Sequence, residues 1–373
     1  MRVRPDLIAI ALVNAGIPMA LVAQREQEPI AASGRATFEW TASGGSSHAA
    51  GRAEVELGFD FDLGRLLEAR GLAARLAVRS YRGEPVAGGG TLHGLSSIAQ
   101  DEDVDRLSEA WLRLGDTRAS LQAGILDANA TFAALGEASG FLLASASTSP
   151  VLIGMPTFPD AAAGAEFAWR GEGIFLAAGA YLGLASDALE IAQGDEATAP
   201  SPREGRGWFA AETGIALPGA AGRLGIGAFH DTADHERFDG GTQRGASGLY
   251  ALGECCLRHF DARSERGLHA FGFAGMTDGN VADVKAHAML GFTCHGLLRT
   301  RAGDVVGLAW SRLDASSPAA GLAGDETALE AFWRLRLGAG SELQLSVQFV
   351  DAPGGDAAAE DAVVFGVRST FAF

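Results

Sequence analysis

From residue 37 onward the chain repeats one pattern, runs of roughly ten residues in which apolar and polar side chains alternate. Residues 106–132, RLSEAWLRLGDTRASLQAGILDANATF, show it most clearly. Leu107, Glu109, Trp111 and Arg113 share one face, and Ser108, Ala110, Leu112 and Leu114 the other. Gly115, Asp116 and Thr117 signal a tight turn, and a second alternating run sets Ala119, Leu121, Ala123 and Ile125 against Ser120, Gln122 and Gly124. Two such runs about a Gly/Asp turn predict a β-hairpin. A soluble sandwich buries the apolar face, whereas a membrane barrel turns it to lipid and its charges to a wet lumen. One hairpin fits both.

The rest of the chain decides between them. Val55, Leu57, Phe59 and Phe61 oppose Glu54, Glu56, Asp60 and Asp62; Leu72, Ala74, Leu76 and Val78 oppose Arg75, Arg79 and Tyr81. The same holds for Phe167 and Trp169 against Glu166 and Arg170, and for Phe209 and Ile215 against Glu212. Toward the end, Leu329, Trp333 and Leu335 oppose Glu330, Arg334 and Arg336, and Leu345, Val347 and Phe349 oppose Gln344, Ser346 and Gln348. About sixteen runs, each long enough to cross a bilayer when tilted, predict an all-β, antiparallel up-and-down transmembrane barrel. Short connectors at 115–117, 171–173, 218–221 and 338–340 alternate with long ones at 83–103, 126–163, 183–205, 231–245, 314–326 and 351–360. That is the pattern of short periplasmic turns and long extracellular loops.

Residues 1–23 read as a signal peptide, with Arg2 and Arg4 before an apolar stretch that ends at Ala23. Residues 24–35 then read as a flexible lead-in, and 36–373 as the barrel. No stretch approaches the ~20 uninterrupted apolar residues of a spanning helix. A formal net charge of −17, with Lys285 the only lysine, argues against a nucleic-acid partner. Three cysteines are too few for a disulfide framework, and no metal-ligand spacing is present. No cofactor is implied.

Several blocks resemble the carbohydrate-selective porin (OprB) family. RLSEAWL at 106–112, ASLQAG at 119–124 and DANATF at 127–132 are similar to that family's hairpin. Gly248, Leu249 and Tyr250 with Glu254 resemble its tenth strand, and Gly296 to Leu298 before DVVGLA at 304–309 a later turn and strand. Residues 326–337 and 344–348, Pro353 and residues 361–373 resemble its last three strands. The connectors 183–205 and 231–245 depart from it. The resemblance implies a sixteen-stranded barrel in the cell outer membrane that passes monosaccharides.

Strand phase turns Arg75, Arg79, Arg113, Arg170, Arg334 and Arg336 into the lumen, together with Glu54, Glu56, Glu109, Glu166, Glu212, Glu254 and Glu330. Sugars need planar donors and acceptors and an aromatic surface for their C–H face. Arg75, Arg79, Tyr81, Glu109, Trp111, Arg113, Gln122 and Glu254 are therefore the candidate constriction, at a level expected to be locally positive. The same Arg and Glu could instead neutralise each other across strands. Connector 126–163 carries Pro150, Pro156 and Pro159 and apolar residues at 141–144 and 151–154, which predicts a loop folded into the lumen. The expected partners are small sugars and the lipid bilayer, with homo-oligomerisation left open. Alternatives are a general diffusion channel, an exported soluble sugar-binding β-protein, and an outer-membrane hydrolase. For the last, no G-x-S-x-G motif stands near His230, His235, His259, His269, His287 or His295.

Overall fold

The computed structural model describes residues 29–43, 49–84, 90–100, 102–182, 206–218, 222–261, 266–316 and 324–373. The expected leader 1–23 and the connector 183–205 lie outside the described residues. Alternation becomes strand throughout: β1 (Ile30–Ser43), β2 (Ala49–Phe61), β3 (Leu72–Gly83), β4 (Val104–Gly115), β5 (Ala119–Leu126), β6 (Ala162–Arg170), β7 (Ile174–Leu182) and β8 (Gly207–Leu217). They are followed by β9 (Gly222–Glu236), β10 (Thr242–His259), β11 (Gly267–Thr277), β12 (Val284–His295), β13 (Val305–Ala315), β14 (Glu326–Gly338), β15 (Ser341–Asp351) and β16 (Ala362–Ala372). Each strand pairs antiparallel with its chain neighbours, and β16 returns to β1, which closes the barrel. Closure leaves no unpaired edge in a medium that offers no hydrogen bonds.

The seam explains where the barrel begins. Trp40 pairs with Val367 and Arg35 with Ala372, and Gly34 exchanges backbone hydrogen bonds with Phe373 at 3.0 and 3.2 Å. A side chain on Gly34 would collide with the Phe373 ring. Residues 30–35 are therefore strand, and the barrel starts ahead of the boundary expected at residue 36.

Exposure separates the two faces. Leu345, Val347 and Phe349 are 44, 39 and 43 % exposed, against 3, 7 and 1 % for Gln344, Ser346 and Gln348. The exposed set faces lipid and the covered set faces the lumen. Two local readings need correction. A bulge at Ser108 lets Ala77 pair with Glu109 and Val78 with Leu107, so Leu107 lies on the lipid face, opposite Glu109. Residues 231–245 are not a loop, since β9 and β10 continue pairing up to Glu236 and Thr242, with a bulge between Arg244 and Ala246. Their polar side chains lie beyond the lipid, where alternation no longer has to be apolar on one face.

The short turns follow from local chemistry. Asp116 accepts the N–H groups of Ala119 at 3.0 Å and Arg118 at 2.8 Å, which hold its carboxyl below the usual carboxylate range. Inside, aromatic rings lie over cross-strand glycines: Tyr250 over Gly227, Phe271 over Gly291, Phe332 over Gly307 and Tyr181 over Gly164. The 51 glycines thus serve the lumen as well as the turns.

Candidate functional site

Connector 127–161 lies against the lumen face of the wall. Its backbone N–H and C=O groups lose water there and need protein partners. The wall supplies carboxylates. Glu330, fully buried, accepts the N–H groups of Leu142 and Leu143, both at 2.9 Å. Glu212 accepts Ala133 N–H and the Tyr250 hydroxyl at 2.9 Å, and Glu166 accepts the Thr131 hydroxyl at 2.6 Å. In the other direction the carbonyl of Gly140 accepts from Gln344 at 2.9 Å, Ile153 from Trp208 at 3.1 Å, and Gly154 from Arg206 at 3.0 Å. Phe141 wedges between Phe271 and Phe332, and Phe132 packs edge-on to Tyr181 and Trp208. Burial raises the pKa of Glu137 on this loop, but hydrogen bonds from His295 and Thr293 outweigh it and hold the carboxyl below its usual range.

A second connector joins it. Ala144 and Ser145 donate backbone N–H to the carbonyls of Gly94 and His93, both at 2.9 Å. His93 Nδ1 stands 2.7 Å from Glu326 and its Nε2 3.0 Å from Ser311, which in turn meets His287 at 2.9 Å. His287 Nδ1 closes the chain on Ser149 at 2.8 Å.

On the opposite side the wall stays open. A polar cavity of about 510 Å³ runs between these loops and β1, β2, β3, β14, β15 and β16. Arg35, Arg79, Arg334, Arg336 and Arg368 line it, with Glu54, Glu342 and Gln344, and Ser97, Ser139 and Ser147 on the loop side. Arg368 is held by Glu39, which also binds Arg52, and Arg79 is held by Glu56 at 2.6 Å while its guanidinium lies 4.6 Å from the Phe158 ring centre. Cations therefore outnumber anions along this path, although the chain as a whole is acidic.

The model of the carbohydrate-selective porin, OprB family, matches residues 47–373. The chain belongs to that family. It is thereby an outer-membrane sugar porin, and its fold and family are those of a channel. Among solved structures, the high-pH structure of Pseudomonas putida OprB superposes with a TM-score of 0.81 at 14 % identity, covering 96 % of this chain and 97 % of that one. The low-pH structure of the same protein gives 0.62 at 13 %, covering 92 and 93 %. The channel DcaP of Acinetobacter baumannii gives 0.57 at 10 %, covering 92 and 97 %. At such identities the likeness speaks for the barrel alone. A comparison with curated proteins finds no match.

In this OprB-family porin the residues expected to form the constriction part company. Arg79 lines the open cavity. Arg75 is enclosed by three carboxylates, bonding Glu109, Asp60 at 2.9 Å and Glu56 at 3.2 Å, so the local positive charge expected at this level is cancelled. Tyr81 is wholly buried beside Arg52, out of reach of a solute. Glu254 is covered by the loop, paired with Arg223 at 3.0 Å and 3.4 Å from Glu137 N–H. Trp111 packs against the loop core, Arg113 lies 5.6 Å from its ring, and Gln122 pairs between Arg113 and Glu166. Alternation identified their face but not the neighbours each one meets there.

The reading of the sequence missed Arg35, Arg368 and Glu342. Arg35 fell within the supposed lead-in. Arg368 shares its phase with Gly366 and Thr370, opposite Phe365, Val367 and Phe371, and that signal was available.

Proposed function

We propose that monosaccharides and similarly small neutral solutes diffuse passively through the arginine-lined cavity beside β1–β3 and β14–β16. The cavity itself carries this reading: its volume suits a small ligand with its water. Guanidinium forks donate to sugar hydroxyls, and Glu54, Glu342 and Gln344 accept from them. Contacts of this kind exchange with water, so a solute binds weakly enough to leave. Of the expected constriction residues, Arg79 keeps a role in contact with sugar. Arg75, Glu109, Trp111 and Glu254 support the wall and the loop.

Ser311, His93 and Glu326 have the order of a hydrolase triad. We assign them a structural role instead, because all three are buried and Glu326 also accepts N–H groups of Leu92 and His93 at 2.8 Å.

The test is conductance of the protein in planar bilayers with added neutral monosaccharides. Block of the wild type that weakens in Arg334→Ala and Arg79→Ala supports the assignment. Wild-type channels that no monosaccharide blocks would leave a general diffusion pore.

A further inference from the structure

The short-turn end of β10, β11 and β12 gathers metal-ligating side chains that the sugar path does not use. Register puts Cys256, His269 and Thr293 on one rung of the lumen face and His259, Gly267 and His295 on the next. The inward loop brings Glu137 onto both rungs. One carboxylate oxygen stands 3.1 Å from His269 Nδ1 and the other 2.9 Å from His295 Nε2. Donor atoms of all three residues lie within 4.8 Å of one another. Thr293 donates its hydroxyl to the same carboxylate.

Two further observations suit a ligand better than a plain loop anchor. His269 Nε2, the ring nitrogen turned away from Glu137, is buried without a hydrogen-bond partner, so no neighbour on that side fixes the ring in its present orientation. A Cβ at Gly267 would stand 2.7 Å from the Arg258 carbonyl oxygen, 3.2 Å from Cys256 Sγ and 3.3 Å from His269 Nε2, so only a bare backbone fits beside the imidazole. The three donor residues are only partly buried, which leaves them open to ions from the lumen.

We propose that Glu137, His269 and His295 bind a divalent transition-metal ion of the zinc class, with water in the remaining position. Two imidazoles and a carboxylate favour such an ion over magnesium or calcium, which prefer all-oxygen sets. Tetrahedral bonds of ~2.0–2.1 Å put ligand atoms about 3.4 Å apart. The donor atoms, now within 4.8 Å of one another with one carboxylate oxygen facing each imidazole, close to that spacing around the ion. The bound ion takes the place of the direct contacts between Glu137 and the two histidines. It ties connector 127–161 to the β11–β12 wall and stiffens the element that narrows the pore.

The experiment uses the full, folded barrel in detergent after chelator treatment, titrated with Co²⁺ and then with Zn²⁺. One Co²⁺ per chain is expected, with the visible absorption of a four-coordinate nitrogen/oxygen site, displaced by Zn²⁺. Zn²⁺ should raise the unfolding temperature of the wild type and of His230→Ala, and leave Glu137→Gln and His295→Ala unchanged. Far-UV circular dichroism confirms that each variant is folded. Absence of Co²⁺ binding to the folded wild type overturns the proposal. So does binding that persists undiminished in both Glu137→Gln and His295→Ala.

Discussion

The lumen has two sides built from the same alternating strands, and they differ in what covers them. Along β6 to β14 the inward residues are largely aromatic and aliphatic with carboxylates among them, and connector 127–161 lies over them. Along β1 to β3 and β14 to β16 the inward residues are mainly arginine, glutamate and glutamine, and space remains in front of them. A carboxylate on the covered side is a substitute for water, because it satisfies loop N–H groups that could not be buried otherwise. A carboxylate on the open side balances arginine and meets solutes. The same residue type on the same face thus has opposite work to do, and the loop decides which.

The largest effect should come from removing a covered carboxylate. Glu330→Leu leaves the N–H groups of Leu142 and Leu143 without an acceptor, at about 1–3 kcal/mol each. Chemical denaturation in lipid vesicles should show the loss, and single-channel conductance should rise as the loop detaches. Glu54→Ala on the open side should do neither; equal losses in the two variants would erase the distinction between the sides.

Next comes the contrast across the wall. Leu345→Arg places a charge on the lipid face and should cost roughly 2–4 kcal/mol of folding free energy in bilayers. Gln344→Ala, on the next residue, removes the hydrogen bond to the Gly140 carbonyl and should cost about 1 kcal/mol. Comparable refolding midpoints for the two would mean that the faces are misassigned.

A smaller change is expected in transport. Arg334→Ala removes a charge-assisted donor from the cavity and should weaken sugar block by up to about tenfold, the equivalent of 1.4 kcal/mol. Reversal potential in a salt gradient should shift toward cation preference in the same variant. A shift without any change in sugar block would leave the cavity an ion path only.

The smallest effect should be that of Trp111→Ala on sugar block, because its ring packs against the loop core and lies outside the open cavity. Stability should fall while the block constant stays at the wild-type value. A large loss of block would move the binding level to β3–β5 and reverse the assignment of the two sides.

Much of this was legible from residues alone. Period-two alternation in Leu343 to Phe349 fixes which side chains meet lipid, since each strand must satisfy the bilayer by itself. Gly115 with Asp116 announces a turn for reasons contained within four residues. The bulge at Ser108 was not legible, because it depends on how β4 pairs with β3. Nor was the β9–β10 extension at 231–245, whose polar composition resembles a loop once the strand leaves the membrane.

The sequence by itself determined a membrane barrel and, away from the bulge at Ser108, its strand faces, because lipid imposes one local rule on every strand; the class of solute came from the family its motifs resemble, not from that rule. The tertiary structure alone decided which lumen residues face water. It did so by laying connector 127–161 over one side and leaving Arg35 and Arg334 facing the cavity on the other. It also brought Glu137 to His295, 158 residues away. Such encounters depend on where a loop comes to rest within the closed wall, and no local pattern of residues records that.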